Sequence, residues 1–263
     1  MCALVREAYL NTGLSSIHSG ETPLAGRVEE VYLLSKLMCK LYAASRRDTL
    51  TNISRRLGVS VQELSRIMHG KEPVGAKRVA DLVSRLAYVD EDAELRRSIH
   101  EAPLPFPHLN NLTSRYPLSL YCFLYKAMDA VRGLEFGYIV TVEGAGLVLA
   151  TLMAVALGKR LVYGIKAAKV AGGRSFTAGQ GPVYSLDATR RIVSFPSALD
   201  LKGEMAVVVD GVVWTGATVK SMSRYVVKKG GVVEAAVLMV TTREVVEKLE
   251  RELEYPVHAL LTL

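Results

Sequence analysis

The run VVVDGVVWTGAT, residues 207–218, decides the fold. It opens with three consecutive valines, the composition of a strand buried on both faces. It then passes one acid, Asp210, and a glycine, Gly211, and closes in the small-residue loop Thr215-Gly216-Ala217-Thr218. A helical pattern follows, so the run reads as the strand-to-helix turn of a parallel sheet. Backbone N–H groups of residues 215–218, at the start of that helix, can surround a phosphate with help from the helix dipole. The Thr215 and Thr218 hydroxyls can add direct bonds. Asp210 is the natural partner for ribose hydroxyls or a divalent ion. The plainer alternative is an ordinary turn with Asp210 as a solvated cap.

Working outward, further apolar runs at 138–142, 161–165, 206–209 and 232–240 alternate with helical stretches. Continuous apolar strands separated by helices predict a doubly wound parallel sheet, an α/β domain over residues 119–263. A second glycine-bearing turn, Glu143-Gly144-Ala145-Gly146, follows the first of these strands, and the next strand ends near Lys166. Gly144 and Gly146 match the first two glycines of a dinucleotide-binding turn. The third position is Leu149, however, and Lys166 stands where a ribose-binding acid would be expected, which argues against that use. Trp214, just before the phosphate loop, can either stack on a ligand's base or cover the strand end, and burial is the expectation.

Residues 1–100 follow a different pattern. Val28, Val31, Leu34, Leu37, Met38 and Leu41 recur at helical spacing, and no stretch reads as a strand. Within TNISRRLGVSVQELSRIMHG, residues 51–70, Ile53, Leu57, Leu64 and Ile67 form the inner face of two short helices. Ser54 is small where they would cross, and Gly58 permits a left-handed turn between them. Ser60 and Glu63 fit a capping box, and Gly70 suits the stop of the second helix. This is a helix-turn-helix, or else a helical hairpin that only packs. In the first reading Ser60, Gln62, Ser65, Arg66 and His69 line the DNA side, with Gln and Arg suited to bidentate base contacts. Lys71, Lys77 and Arg78 would lie near phosphates, and Glu63 is expected to be held by the cap. Residues 101–118, with Pro103, Pro105, Pro107 and Pro117, read as a linker or extended arm. Residues 1–26 receive no assignment beyond one short helix.

Composition sets the frame for both halves. The chain of 263 residues is 50% hydrophobic and 22% charged, which is that of a globular protein with a sizeable core. Its formal charge is +7, and most of the excess lies between Ser45 and Arg78. There Arg46, Arg47, Arg55, Arg56, Arg66, Lys71, Lys77 and Arg78 outnumber Asp48, Glu63 and Glu72, as a polyanion-binding face requires. Cys2, Cys39 and Cys122 match no metal spacing and no disulfide framework, which predicts a reducing compartment. No apolar run approaches the roughly 20 residues of a membrane span, and the cytoplasm is the expected location.

The second half, over roughly residues 113–263, resembles the type I phosphoribosyltransferase fold. It looks most like that family's regulatory branch, the purine-operon repressor and the archaeal orotate-phosphoribosyltransferase-like regulators. The resemblance is carried by the segment 176–211, by residues 207–218 and by the ending VHALLTL, residues 257–263. It implies that Asp210 and Thr215–Thr218 hold the ribose 5-phosphate of phosphoribosyl pyrophosphate (PRPP). It further implies that Glu143–Gly146 take the pyrophosphate, with Lys166 beside it. It also implies a DNA-binding domain ahead of the transferase-like one, although here the helix-turn-helix looks like the phage-repressor type. Gly211 departs from the pattern of two adjacent acids, and one fewer carboxylate weakens the hold on ribose hydroxyls and on any Mg²⁺. The expected function is therefore a transcriptional regulator that binds double-stranded DNA as a homodimer and senses PRPP or a purine nucleotide. No catalytic residue is assigned, and no cofactor is required beyond the Mg²⁺ that PRPP would bring. The alternative is an active phosphoribosyltransferase making a nucleotide from PRPP and a nucleobase.

Overall fold

A computed structural model describes residues 24–100, 109–167, 183–186, 191–196 and 199–263. The expectations for residues 1–23, for the triple proline at 103–107 and for most of the segment 168–190 fall outside the described residues. Two units emerge: residues 24–97 with Tyr116–Tyr125, and residues 98–115 with Lys126–Leu263.

The helical unit opens with α1 (Leu24–Ser45), whose inner side buries Leu37, Met38, Cys39, Leu41 and Tyr42. Two eight-residue helices follow, α2 (Leu50–Leu57) and α3 (Val61–Met68), then α4 (Ala76–Arg85) and α5 (Glu91–His100). Helices of two turns are not stable alone in water, so packing must supply what length does not. Ile53 and Leu57 of α2, Leu64 and Ile67 of α3, and Val79 and Leu82 of α4 are all buried, completing the predicted inner face. Ser54 is buried too, its hydroxyl donating to the Thr51 carbonyl.

Charges tie this unit together from inside. The fully buried Glu94 carboxylate of α5 lies within 3.3 Å of Arg46, 3.1 Å of Arg47 and 2.9 Å of Arg97. A buried carboxylate is tolerable only with such partners. Glu91 accepts from Lys40 at 3.0 Å and from the Tyr125 hydroxyl at 2.6 Å. Burial raises the Glu91 carboxyl, but these hydrogen bonds outweigh it and hold the group below its ordinary range.

The expectation that the cysteines form no disulfide is overturned here. Cys39 of α1 and Cys122 of α7 (Ser119–Ala130) form a disulfide, their Cα atoms 4.6 Å apart. The two positions are 83 residues apart in sequence, so only packing brings them together. The expected linker also contains structure, since α6 (Leu109–Arg115) forms between the prolines and includes none of them.

In the second unit the sheet order is β3-β4-β2-β1-β5-β6-β7. The strands are β1 (Tyr138–Val142), β2 (Arg160–Ala167), β3 (Val183–Leu186), β4 (Arg191–Ser194), β5 (Met205–Val213), β6 (Val232–Thr241) and β7 (Val257–Thr262). Strands β2, β1, β5, β6 and β7 run parallel, and β4 and β3 extend the sheet antiparallel beyond β2. The crossover helices are α8 (Ala145–Leu157), α9 (Ala217–Lys228) and α10 (Arg243–Glu252). Val140, Val208, Ala236 and Leu238 pack with Val219, Met222 and Val226 of α9 and Leu249 of α10 in one core. The buried Leu149, Ala150 and Met153 of α8 belong to the opposite face, so the sheet is covered on both sides and its strands read as unbroken apolar runs. The α/β doubly wound fold is as the sequence predicts.

Candidate functional site

Strand order fixes where the two predicted loops meet. From β1 the chain crosses through α8 to β2 on one side; from β5 it crosses through α9 to β6 on the other. The carboxyl ends of β1 and β5 therefore flank the point where the winding reverses, the crevice in which open α/β sheets bind ligands. Glu143–Gly146 follow β1 and residues 214–218 follow β5, so the two predicted loops lie on the two walls of that crevice.

On the β5 side, Gly216 adopts a left-handed conformation, φ 75°, and caps α9 without contributing a side chain to its first turn. A side chain at Gly216 would run into Leu249 of α10. Thr215 is exposed, and its hydroxyl accepts from the Ala217 N–H at 3.4 Å. Ala217 is exposed and Thr218 half-buried. The first turn thus has its amide end toward solvent, the arrangement that favours an anion. Lys220, one turn in, is committed elsewhere, with its ammonium on Glu252 at 2.9 Å. Trp214 is 43% exposed, against the expectation of burial.

Asp210 requires a correction. The apolar run 206–209 predicts a strand that ends at Asp210, but β5 continues to Val213, because the ten-residue β6 pairs with Val212 and Val213 and the Thr241 hydroxyl donates to the Val213 carbonyl at 2.8 Å. On the opposite edge β1 pairs with β5 only as far as Val208. Asp210 is therefore anchored on the β6 side and lies past the last residue of β5 that pairs with β1, half-buried, with Oδ1 accepting the Gly211 N–H at 2.8 Å.

On the β1 side, the Glu143 N–H donates to the Gly164 carbonyl at 2.8 Å, and Gly144 sits at φ 126°, a backbone position suited to glycine. Ala145 is half-buried and Gly146 buried. Gly146 lies against the backbone of Asp210 and Gly211, a contact that sequence reading missed. Its only trace in the sequence is a glycine at each position, which cannot be matched without knowing that β1 and β5 are neighbours. Lys166 lies in β2 opposite Val193 of β4, and its side chain is outside the described residues.

The helical unit holds the other predicted residues. Ser60 caps α3, its hydroxyl accepting from the Glu63 N–H at 3.0 Å. The capping box is only half made. The Glu63 carboxylate turns instead to Arg78 of α4 at 3.3 Å, since an arginine on the adjacent helix offers it a charged partner. Gly58 and Gly70, both near φ 65°, end α2 and α3. In each case the next residue donates back into the helix: Val59 to Ser54 and Lys71 to Arg66. Gln62, Arg66, His69 and Lys71 are exposed and Ser65 is half-buried. Arg66 is paired with Glu72 at 3.2 Å, and the His69 Nδ1 lies 2.7 Å from the Ser65 carbonyl.

No family model matches the chain, and no curated protein matches it. Among solved structures it is similar to the adenine phosphoribosyltransferase of Thermoanaerobacter pseudethanolicus, at 19% identity over 61% of this chain and 89% of that one, TM-score 0.50. It is similar also to the adenine phosphoribosyltransferase of Rhodothermus marinus, at 18% identity over 65% of this chain and 99% of that one, TM-score 0.50. At such identities the likeness is one of fold: the α/β unit has the phosphoribosyltransferase fold.

Proposed function

We propose that this chain is a ligand-responsive transcriptional regulator: the helical unit reads double-stranded DNA, and the phosphoribosyltransferase-fold unit senses PRPP or a purine nucleotide. The observation that carries the reading is α3. It is capped at both ends and seated through Leu64 and Ile67, and it leaves Gln62, Arg66 and His69 outward in the most basic part of the chain. A helix so held presents the same few side chains to a major groove, with Lys71 and Lys77 beside it for phosphates, while Arg78 is held by Glu63. Two copies related by a two-fold axis would read two half-sites about one helical turn apart. A chromosomal operator puts this work in the cytoplasm.

The sensing half draws its support from Asp210 and the 214–218 loop at the reversal point of the sheet. A ligand there alters DNA affinity only through unequal binding to two arrangements of the dimer. Fluorescence anisotropy with DNA from upstream of the gene tests both halves. The reading expects preference over scrambled DNA, steep weakening with salt, and a change of about fivefold or more on adding PRPP or a purine nucleotide. Equal affinity for scrambled DNA overturns it.

The competing reading is an active phosphoribosyltransferase, which the fold accommodates. Incubation with Mg²⁺, PRPP and each nucleobase separates the two, since pyrophosphate release would make the chain an enzyme.

A further inference from the structure

We infer that the site takes a 5′-monophosphorylated ribose without a divalent cation, because the first turn of α8 stands where a second carboxylate would have to be. The inference rests on the ribose-phosphate reading above and sharpens it.

Consecutive residues of a strand point to opposite faces. Val208 of β5 packs toward α9 and α10, so Asp210 shares that face and position 211 looks toward α8. A Cβ on Gly211 would lie 2.8 Å from the Gly146 nitrogen, 2.8 Å from the Ala145 Cβ and 3.2 Å from the Ala145 carbonyl carbon. Two of these three atoms are backbone and cannot swing aside. The constraint is mutual: a Cβ on Gly146 would meet the Gly211 nitrogen at 2.8 Å and the Asp210 Cα and carbonyl carbon at 3.0 Å. The two glycines require each other, and α8 closes on β5 without room for a side chain at 211. Gly211 is thus more than a missing acid; the space for one is filled.

Among the described residues, the donors that remain do not fit a metal-laden pyrophosphate. Magnesium demands near-octahedral oxygen ligands and is usually held by one or two carboxylates together with substrate phosphates. On β5 only Asp210 remains, and one of its oxygens already accepts the Gly211 N–H. Among the described residues no three acidic, histidine or cysteine side chains come together as a metal cluster. Glu143, a further acid among the described residues, heads the loop on the β1 side that would take pyrophosphate. One phosphate on the amide loop and two hydroxyls on Asp210 are what this donor set suits. Ribose 5-phosphate and a nucleoside 5′-monophosphate both present that chemistry.

Isothermal titration of the full chain with ribose 5-phosphate, AMP, GMP and PRPP, each in Mg²⁺ and in EDTA, tests the inference. Ribose 5-phosphate or a nucleotide is expected to bind with affinities within about threefold in the two buffers, and no weaker than PRPP. If only the nucleotides bind, the base contributes; if ribose 5-phosphate binds equally well, it does not, and either result supports the cation-free site. A gain of about tenfold or more from Mg²⁺, or binding of PRPP alone, overturns the inference while keeping the ribose-phosphate reading. No heat in any arm removes both. The variant Gly211→Asp is expected to fold poorly or to lose ribose phosphate; a well-folded Gly211→Asp that binds tighter in Mg²⁺ would show the space to be open, and overturns the inference.

Discussion

The α2–α3 pair and the β1–β5 crevice are built by interactions of very different reach. In the helix pair each defining contact is short: Ser60 to Glu63, Val59 back to Ser54, Lys71 back to Arg66. In the crevice the defining contact joins Gly146 of α8 to Gly211 of β5, two elements distant in sequence. A surface helix pair can therefore vary its outward residues without disturbing how it is held. The crevice cannot, since its shape is made by the same backbones that make its chemistry.

Substitutions in each region can break that comparison. The single tryptophan, Trp214, reports on the α/β unit, while circular dichroism reports on all helices. Leu64→Ala should have the largest effect, costing about 2–5 kcal/mol, because it leaves a cavity beneath α3. Urea unfolding should show early loss of helical signal while the Trp214 fluorescence transition stays in place; a joint shift would mean that the units do not unfold separately. Gly211→Ala should cost about 1–3 kcal/mol through overpacking against α8, and here the fluorescence transition should move. An unchanged transition would remove the claim of a closed space. Ser60→Ala should cost about 1 kcal/mol by unpairing the α3 amide end, with DNA affinity falling along with the fraction folded.

The smallest expected effect is one of pH. His258 in β7 is half-buried, and burial lowers its affinity for a proton below the ordinary value of 6.5, with Glu250 opposing in part. Its folded form binds a proton less readily than its unfolded form. Any stability it contributes is complete above the ordinary value and is lost as pH falls through the lower folded one. His258→Gln should flatten that acid limb of the fluorescence-monitored stability curve; an unchanged slope would assign the limb to other groups.

The local features of both units were legible because their causes lie within a few residues. The inner face Ile53, Leu57, Leu64 and Ile67, the left-handed glycines and the Ser60 cap are written at helical spacing. β1 is written as a continuous apolar run, and the turn into α9 as a small-residue loop. Even so, local reading overreached at Glu63, where a charge on another helix outcompeted the cap, and at Trp214, whose exposure depends on what surrounds the strand end.

By itself, then, the sequence determined the alternation of strands and helices, the two glycine-bearing turns and the basic helix pair, since these follow from spacing, turn chemistry and charge along the chain. Only the tertiary structure decided that Cys39 meets Cys122, that β5 runs on to Val213, and that α8 closes against Gly211. Each of those outcomes depends on which elements become neighbours. Neighbourhood is set by burying every apolar face at once, which no short window of residues can express.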